Sequence, residues 1–250
     1  MTNFSIKKLI KGIKNKSGRN NLGRITIQGK SKRHKRYFRY IFHNIFKYKG
    51  YILQIQKDPN RSSSISLIGL HNYWLFFLPK IFIYKLTTNK DFVGKLLCNY
   101  SSKQLNKSNL KFLGDSFLMS NCEKNDIICN LQNNLQRKSN IAKAAGSFCT
   151  FLKTEESSNK VLIKLPSQST IKVSYKSYIT LGKISVNLKL IKYKKAGMSS
   201  WLGIKSKVRG VAKNPVDHPH GGGNGKGKGR IAVTPYGKLT KCKKTRKTKK

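Results

Sequence analysis

Short stretches of alternating hydrophobic and polar residues predict that the middle of the chain consists of strands. Arg36–Phe42 (RYFRYIF) and Tyr51–Gln56 (YILQIQ) have the period of two that is typical of half-buried strands. Ile65–Leu70 (ISLIGL) follows the turn-forming residues Asp58–Asn60. We therefore predict that Tyr51–Gln56 and Ile65–Leu70 pair as a β-hairpin.

Three more hydrophobic runs extend this first strand group. Tyr73–Leu78 and Ile81–Leu86 predict two strands, and Phe92–Leu97 predicts a weaker third. Four or five short strands favour a small closed barrel of the oligonucleotide-binding kind. The longest apolar run is interrupted by Pro79-Lys80 and falls short of the ~20 residues of a membrane-spanning helix, so we predict no membrane association.

A second strand group follows a stretch without periodicity. Ser101–Asn140 is rich in Asn, Ser, Lys and Gln, which predicts a linker or insertion. The second group is long enough for another small barrel, and its strands are predicted at Ser147–Lys153, Val161–Leu165, Thr170–Tyr175 and Ser177–Leu181.

The distribution of charge indicates a polyanionic partner. The 250 residues include 53 Lys and Arg but only 8 Asp and Glu, for a net charge of +45. No acid precedes Asp58, and Asp217 is the only acid from Ala196 to Lys250. A run of charge is usually a solvated face, but here acids are missing from whole segments. Because such a protein would repel itself when alone, we predict a nucleic-acid partner and no stable solitary monomer.

The sequence from Asn214 to Arg230, NPVDHPHGGGNGKGKGR, is unsuited to an ordinary core. Its prolines favour extended backbone at Asn214 and His218. Six glycines between Gly221 and Gly229 remove side-chain bulk and allow close approach to another backbone. We predict an extended tail that needs a groove made by something else.

Nucleotide hydrolysis is disfavoured for this tail. Gly222–Lys228 matches the beginning of a phosphate-binding loop, but Gly229 stands where a Ser or Thr would bind magnesium. No hydrophobic strand leads directly into the loop either.

Metal binding and nucleophilic catalysis are weaker alternatives to RNA contact for the same tail. Asp217, His218 and His220 could ligate a metal, yet no third histidine lies nearby. An Asp-His pair could activate Ser199 or Ser200, but nothing in the sequence places these serines beside the pair. Hydrogen bonds from the histidines to phosphate or ribose are the favoured interpretation.

The cysteines and the N-terminus bear on the cellular compartment in which the protein works. An odd number of cysteines without a CxxC pair favours reduced thiols over a disulfide framework or a zinc site. Met1–Lys16 has neither the apolar region of a secretory signal nor the arginines of an organellar presequence. The cysteines are Cys98, Cys122, Cys129, Cys149 and Cys242.

The C-terminal residues resemble a known family. Lys205–Lys250 is similar to the C-terminal extension of ribosomal protein two of the large subunit, the bacterial-type L-two family, and Asn214–Gly223 (NPVDHPHGGG) is highly specific to it. Supporting matches in the same order are Ser17–Thr26 (SGRNNLGRIT), Asp58–Ser62 (DPNRS), Ile141–Gly146 (IAKAAG) and Thr180–Lys183 (TLGK).

This resemblance implies a mainly β fold, with an oligonucleotide-binding barrel followed by an SH3-like barrel and long basic non-globular extensions at both ends. It implies a structural, non-enzymatic role: binding large-subunit rRNA, supporting subunit association and shaping the region around the peptidyl transferase centre. The implied partners are large-subunit rRNA, neighbouring ribosomal proteins and the small subunit, with no cofactor beyond Mg²⁺ bound to the rRNA. The corresponding divisions are 1–30 (N-terminal arm), 31–120 (first barrel), 121–195 (linker and second barrel) and 196–250 (rRNA-binding tail).

The resemblance also assigns individual residues to the RNA interface. His218 matches a histidine near the catalytic RNA, and Gly221–Gly223 match a tight backbone passage between rRNA helices. Arginine can fork onto phosphates, while amide groups reach backbone oxygens. The implied rRNA-binding residues are Arg19, Asn20, Asn21, Arg24, Asn60, Arg61, Lys205, Lys207, Arg209, Lys213, Asn214, His218, His220, Gly221, Gly222, Gly223, Lys226, Lys228, Arg230, Lys243, Lys244 and Arg246.

Departures from the family pattern bear on the source of the chain. Lys30–Arg36 replaces a glycine-rich stretch, and the loop Lys124–Ser139 is expanded. Heavy use of Lys, Asn and Ile indicates an AT-rich genome. Together these features favour a mitochondrial ribosome, with a plastid as the alternative.

A protein that compacts nucleic acid without a defined site is the alternative function. It would explain the positive charge equally well, because counterion release depends only on the number of phosphates neutralised. It would not require prolines, histidines and glycines in a fixed order.

Overall fold

The computed structural model describes residues 7–42, 48–70, 81–100, 112–133, 139–155, 158–186, 194–223 and 231–241. The chain divides into two compact units. The sheet unit contains the described residues of 7–14 and 35–186. The basic unit combines residues 15–34 with the described residues from 194 to 241.

The sheet unit confirms the mainly β prediction. Strands β1 and β2 form a small antiparallel sheet, and the other ten strands form one sheet in the order β11-β10-β9-β8-β12-β7-β6-β3-β4-β5. The strands are β1 (Ile10–Gly12), β2 (Tyr37–Arg39), β3 (Tyr48–Lys57), β4 (Ser64–Leu70), β5 (Phe82–Leu86), β6 (Leu96–Asn99), β7 (Ser116–Leu118), β8 (Ile127–Cys129), β9 (Cys149–Glu155), β10 (Lys160–Lys164), β11 (Thr170–Ser174) and β12 (Tyr178–Leu181).

The predicted hairpin is confirmed in the first strand group. Strands β3 and β4 pair antiparallel with Ile52 opposite Ile68, and a bulge follows between Ile52 and Gln54. Ile52 and Ile68 are buried with Ile83 of β5 and Leu97 of β6. Alternation in β3 thus reflects one face turned toward this core.

Two boundaries in the first group differ from the prediction. The predicted Phe92–Leu97 strand lies instead at Leu96–Asn99, because the Lys95 amide turns back to the Phe92 carbonyl at 3.3 Å. Strand β1 (Ile10–Gly12) was not predicted. The predicted strand Tyr73–Leu78 lies outside the described residues.

The prediction that Ser101–Asn140 is only a linker or insertion is wrong for its described part. Strands β7 and β8 lie within it, and Phe117, Ile128 and Leu131 are fully buried in the core of the second group. Phe151 of β9 belongs to the same cluster. Strands of three residues are too short to show a period of two, and their polar neighbours obscured them in the sequence.

A buried lysine connects the two strand groups. Lys85 on β5 is only 1% exposed, and its Nζ donates to the Gly114 carbonyl at 2.8 Å and to Ser116 Oγ on β7 at 2.7 Å. Ser116 Oγ lies 3.0 Å from Thr180 Oγ1 on β12. Burial lowers the pKa of Lys85, while the nearby carboxylate of Asp115 opposes this shift. The network therefore gives a charged group internal partners in place of water.

The four described cysteines form no disulfide bond with one another. Cys129 and Cys149 are buried, and burial raises the pKa of Cys129 to about 12 and that of Cys149 to about 11. Cys98 and Cys122 form no disulfide bond with another described cysteine, and Cys242 lies outside the described residues. Nowhere in the described chain is a helix both long and apolar enough to cross a membrane.

Candidate nucleic-acid interface

The basic unit is almost free of acids. Its described residues, in 15–34, 194–223 and 231–241, contain fourteen lysines and arginines and a single acid, Asp217. The tail was predicted to need a groove made by something else. Part of that surface is supplied by the chain's own residues 15–34.

A compact loop forms the N-terminal half of the basic unit. The Gly18 carbonyl accepts hydrogen bonds from the amides of Thr26 and Ile27, at 2.9 and 3.1 Å. Asn20 Oδ1 accepts from the amides of Leu22 and Arg24, at 3.0 and 2.9 Å. Asn20 thus stabilises the turn itself, as Asn side chains commonly do.

The other predicted contact residues of this loop have internal partners too. Arg19 donates through one terminal nitrogen to the Gly23 carbonyl at 2.7 Å. Asn21 Oδ1 accepts from Lys16 Nζ at 2.6 Å. Arg24 is exposed. Since arginine carries five N–H donors, the bond to Gly23 leaves Arg19 able to contact a phosphate as well.

Backbone pairing joins this loop to the tail. The Ser31 amide donates to the Gly203 carbonyl at 3.1 Å, and the Lys205 amide donates to the Gly29 carbonyl at 3.1 Å. His34 contacts Trp201 of the short helix α1 (Gly197–Trp201), with ring centroids 5.9 Å apart. The basic stretch Lys30–Arg36 therefore has a structural role as a pairing segment.

Close packing requires glycine at positions 221 and 210. Gly221 belongs to the histidine-glycine block, Asn214–Gly223 (NPVDHPHGGG), and Gly210 packs against His218 of that block. An added Cβ on Gly221 would overlap the Asn214 carbonyl and lie 2.6 Å from the Lys213 oxygen. An added Cβ on Gly210 would lie 2.6 Å from Nδ1 of His218. Glycine is therefore needed at both positions because of contacts within the chain, and the passage of Gly221 between rRNA helices stays a prediction.

The two histidines of the block have internal hydrogen bonds. His218 is 8% exposed, and its Nδ1 accepts from the His220 amide at 2.9 Å. His220 Nε2 accepts from the Val233 amide at 3.1 Å, and the two rings lie 4.7 Å apart. These lone pairs are directed at backbone amides, so they are unavailable to a shared metal ion. The described residues contain no group of three or more candidate metal ligands.

Acidification should loosen this block. Burial lowers the pKa of His218 below its ordinary value of 6.5, and the nearby His220 and Lys213 add to the effect. The stability that neutral His218 gives to the folded block is thus fully present above pH 6.5. It is lost as the pH falls through the lower pKa that His218 has in the folded state. A protonated Nδ1 can no longer accept the His220 amide. We expect the hydrogen-exchange protection factor of the His220 amide to fall severalfold below that pH.

The matched control for this effect is His218→Gln, whose amide oxygen accepts a hydrogen bond but does not titrate. Its protection factor should be insensitive to acidification. An unchanged pH course in that variant would assign the effect to another group.

Asn60 and Arg61 lie in the sheet unit, at the β3–β4 turn. The buried carboxylate of Asp58 accepts from the Asn60 amide at 3.0 Å and from Arg61 Nε at 2.7 Å. Asn60 Nδ2 also donates to the Tyr37 carbonyl at 2.6 Å. The structure therefore gives both residues a role in holding the turn, in addition to their predicted contact with RNA.

Several predicted contact residues line one groove of the basic unit, whereas others lie elsewhere. Arg19, Lys205, Lys207 and Lys213 line the groove together with Lys30, which the sequence interpretation did not select. Arg209 is exposed, and Gly222 and Gly223 have φ angles of 71° and 88° that favour glycine. Predicted residues outside the described chain are Lys226, Lys228, Arg230, Lys243, Lys244 and Arg246.

The fold and this acid-poor unit define a class of basic, mainly β proteins suited to a polyanionic partner. Residues 113–237 match the family described as Ribosomal Proteins L2, C-terminal domain, and residues 6–87 match Ribosomal Proteins L2, RNA binding N-terminal domain. Large ribosomal subunit protein uL2 of Orientia tsutsugamushi (strain Ikeda) is 38% identical over 248 residues, which cover 98% of this chain and 85% of that relative. The chain belongs to the ribosomal protein L2 family.

Family membership confirms the resemblance inferred from the histidine-glycine block. The two strand groups fit the oligonucleotide-binding barrel and the SH3-like barrel that the resemblance implied. As a member of a ribosomal-protein family, the chain is a structural component rather than an enzyme. The domain divisions at residues 30, 120 and 195 stay predictions.

Proposed function

We propose that the chain is a structural constituent of the large ribosomal subunit and binds large-subunit rRNA chiefly through its basic unit. The observation that carries this proposal is the single acid among the described residues of that unit, next to fourteen basic ones. Neutralisation of rRNA phosphates would relieve the self-repulsion of these charges. The family match supplies the ribosomal context.

The finer parts of the role follow from the tight packing of the histidine-glycine block. Glycine at position 221 keeps the chain narrow where it would pass between rRNA helices. His218 is largely buried, so we propose that it positions the block and acts on assembly rather than on chemistry. Support of subunit association, contact with neighbouring proteins and shaping of the peptidyl transferase region belong to the same proposal. Mg²⁺ would be bound by the surrounding rRNA.

We also propose a mitochondrial ribosome as the location. The support is compositional: the chain is rich in Lys, Asn and Ile, and its Lys30–Arg36 stretch departs from the family pattern. The similar protein described above is bacterial, which is compatible with an organelle of bacterial ancestry but does not distinguish the two. A plastid is the alternative.

Co-sedimentation tests the proposal directly. The tagged full chain should migrate with the large subunit through a sucrose gradient after a high-salt wash, and sequencing the associated rRNA would name the compartment. Release by the wash, or recovery with DNA, would favour the nucleic-acid-compacting alternative.

Neutralising part of the basic unit should flatten the salt dependence of RNA binding. Replacing Lys205, Lys207 and Arg209 by Gln removes three phosphate-seeking charges, so the slope of log affinity against log salt should decrease by about 2–3. The measurement is anisotropy of labelled RNA across a salt series. Three lysines of the sheet unit serve as the charge-matched control, Lys153, Lys160 and Lys164→Gln, and we expect a smaller change. Equal changes in both triple variants would contradict a dominant role for the basic unit.

A further inference from the structure

A groove of about 480 Å³ lies within the basic unit, lined by the N-terminal loop and by residues of the tail. This volume is in the range of ~300–1,000 Å³ that is common for small-ligand clefts. Ile25, Ile27 and Val208 contribute apolar surface and are 51%, 57% and 61% exposed. Ile25 and Ile27 flank the bend at Thr26, where the amides of Thr26 and Ile27 both donate to the Gly18 carbonyl. The groove thus offers an apolar wall that the protein itself leaves uncovered.

The charged residues of the groove lining are all basic. No acid lines the groove within the described residues, whereas one arginine and four lysines do. In the described part of the chain, the ammonium groups of these lysines make no hydrogen bond or ion pair. Their charges therefore suit an anionic ligand. The basic lining residues are Arg19, Lys30, Lys205, Lys207 and Lys213.

Two buried hydroxyls lie behind the groove surface. Ser17 Oγ and Ser31 Oγ belong to groove-lining residues, and both oxygens are buried without a hydrogen-bond partner among the described residues. Buried polar atoms are normally hydrogen-bonded, so such exceptions call for an explanation. Asn15 Oδ1 holds the Ser17 amide at 3.1 Å, which fixes the backbone at one of these serines. With less than 1 Å² exposed, neither oxygen can be reached by a ligand in the groove, so the ligand contacts fall to the apolar wall and the basic side chains.

We propose that this groove holds one unpaired nucleotide of the rRNA. The base would lie against Ile25, Ile27 and Val208, and the neighbouring phosphates would contact the lysines. Sequence-specific and single-stranded RNA recognition commonly uses bases that are splayed out of the helix. A site for phosphates alone would not need the apolar wall. This inference rests on the proposed function and names the part of the RNA that the groove recognises.

The test compares two hairpin RNAs that differ only by one bulged nucleotide. We expect the full-length chain to bind the bulged hairpin about tenfold more tightly, since covering roughly 60 Å² of apolar surface at about 25 cal/mol per Å² accounts for such a factor. Fluorescence anisotropy at two salt concentrations measures both affinities. The preference should persist at the higher salt concentration, because both hairpins engage similar numbers of phosphates.

Ser206→Trp fills the groove without changing the charge, and it should abolish the preference while binding to the unbulged hairpin stays within about twofold. Ser200→Trp is the matched control, since Ser200 is exposed on α1 and does not line the groove. Val208→Ser, which removes only apolar surface, should reduce the preference severalfold and guards against misfolding of the tryptophan variant.

The outcomes separate this inference from the proposed function. Equal affinity of the wild-type chain for both hairpins, or a preference that survives Ser206→Trp, would overturn the nucleotide site even if the chain co-sediments with large subunits. Failure to co-sediment would overturn the proposed function whatever the hairpins show.

Discussion

Replacing Lys85 by alanine should lower the free energy of unfolding by roughly 3 kcal/mol. The side chain is fully buried, and its ammonium group bonds to the Gly114 carbonyl and to Ser116 Oγ. Alanine would leave both acceptors without this donor and would open a cavity between the strand groups. Urea unfolding of the full chain, followed by near-ultraviolet circular dichroism, measures the loss.

Two further variants distinguish the network from a general effect of lysine removal. Lys85→Met keeps the apolar stem and should cost about 1 kcal/mol, because a well-packed apolar replacement avoids burial of a charge. Lys160→Ala removes an exposed lysine from β10 and should change stability by no more than about 0.5 kcal/mol. If Lys85→Ala were as harmless as Lys160→Ala, the Lys85 ammonium group would have to be hydrated.

Replacing Gly221 by alanine should reduce incorporation of the chain into large subunits about tenfold. The added Cβ would overlap the Asn214 carbonyl, and crowding of this kind costs ~1–3 kcal/mol, where 1.4 kcal/mol corresponds to a factor of ten. Affinity for bulk RNA should remain within about twofold, since no charge is lost. Quantifying the tagged chain in large-subunit gradient fractions measures incorporation.

Gly197→Ala is the matched control for this steric effect. An added Cβ on Gly197 would meet no atom within 4 Å, and alanine favours the helical conformation that this residue already has. We expect normal incorporation of that variant. Loss of RNA affinity in parallel with incorporation for Gly221→Ala would show that the defect is not confined to assembly.

The sequence predicted elements whose local pattern is long enough to be periodic. The β3–β4 hairpin was predicted because Tyr51–Gln56 alternates and the apolar run Ile65–Leu70 follows a recognisable turn. Strands β7 and β8 were not predicted, since a strand of three residues is too short to show a period of two. In addition, the buried Ser116 of β7 is polar, and its burial is made possible by a hydrogen bond. The burial of Lys85 was not predicted either, because a single lysine in a strand ordinarily faces solvent.

In the candidate site, too, features set by a local stretch of sequence could be predicted and features set by distant residues could not. The histidine-glycine block could be singled out from the sequence, because close packing at Gly221 restricts the amino-acid sequence itself, while its contact with RNA stays a prediction. The groove could not, since it depends on pairing between Gly29 or Ser31 and a segment more than 170 residues later. That pairing is made by backbone amide and carbonyl groups, which nearly every residue has, so the pattern of side chains does not predict it.

The basic unit combines residues from near both ends of the chain, which determines when it can form during synthesis. Residues 15–34 leave the ribosome that makes them well before their partners, because the 159 residues from Lys35 to Tyr193 are translated in between. At ~5–20 residues per second this interval is roughly 10–30 s. During that time Ser31 and Gly29 lack the strand-like segment to which they later bond. The newborn protein therefore completes its nucleic-acid surface only as its last quarter is added, which couples full RNA binding to the end of its own translation.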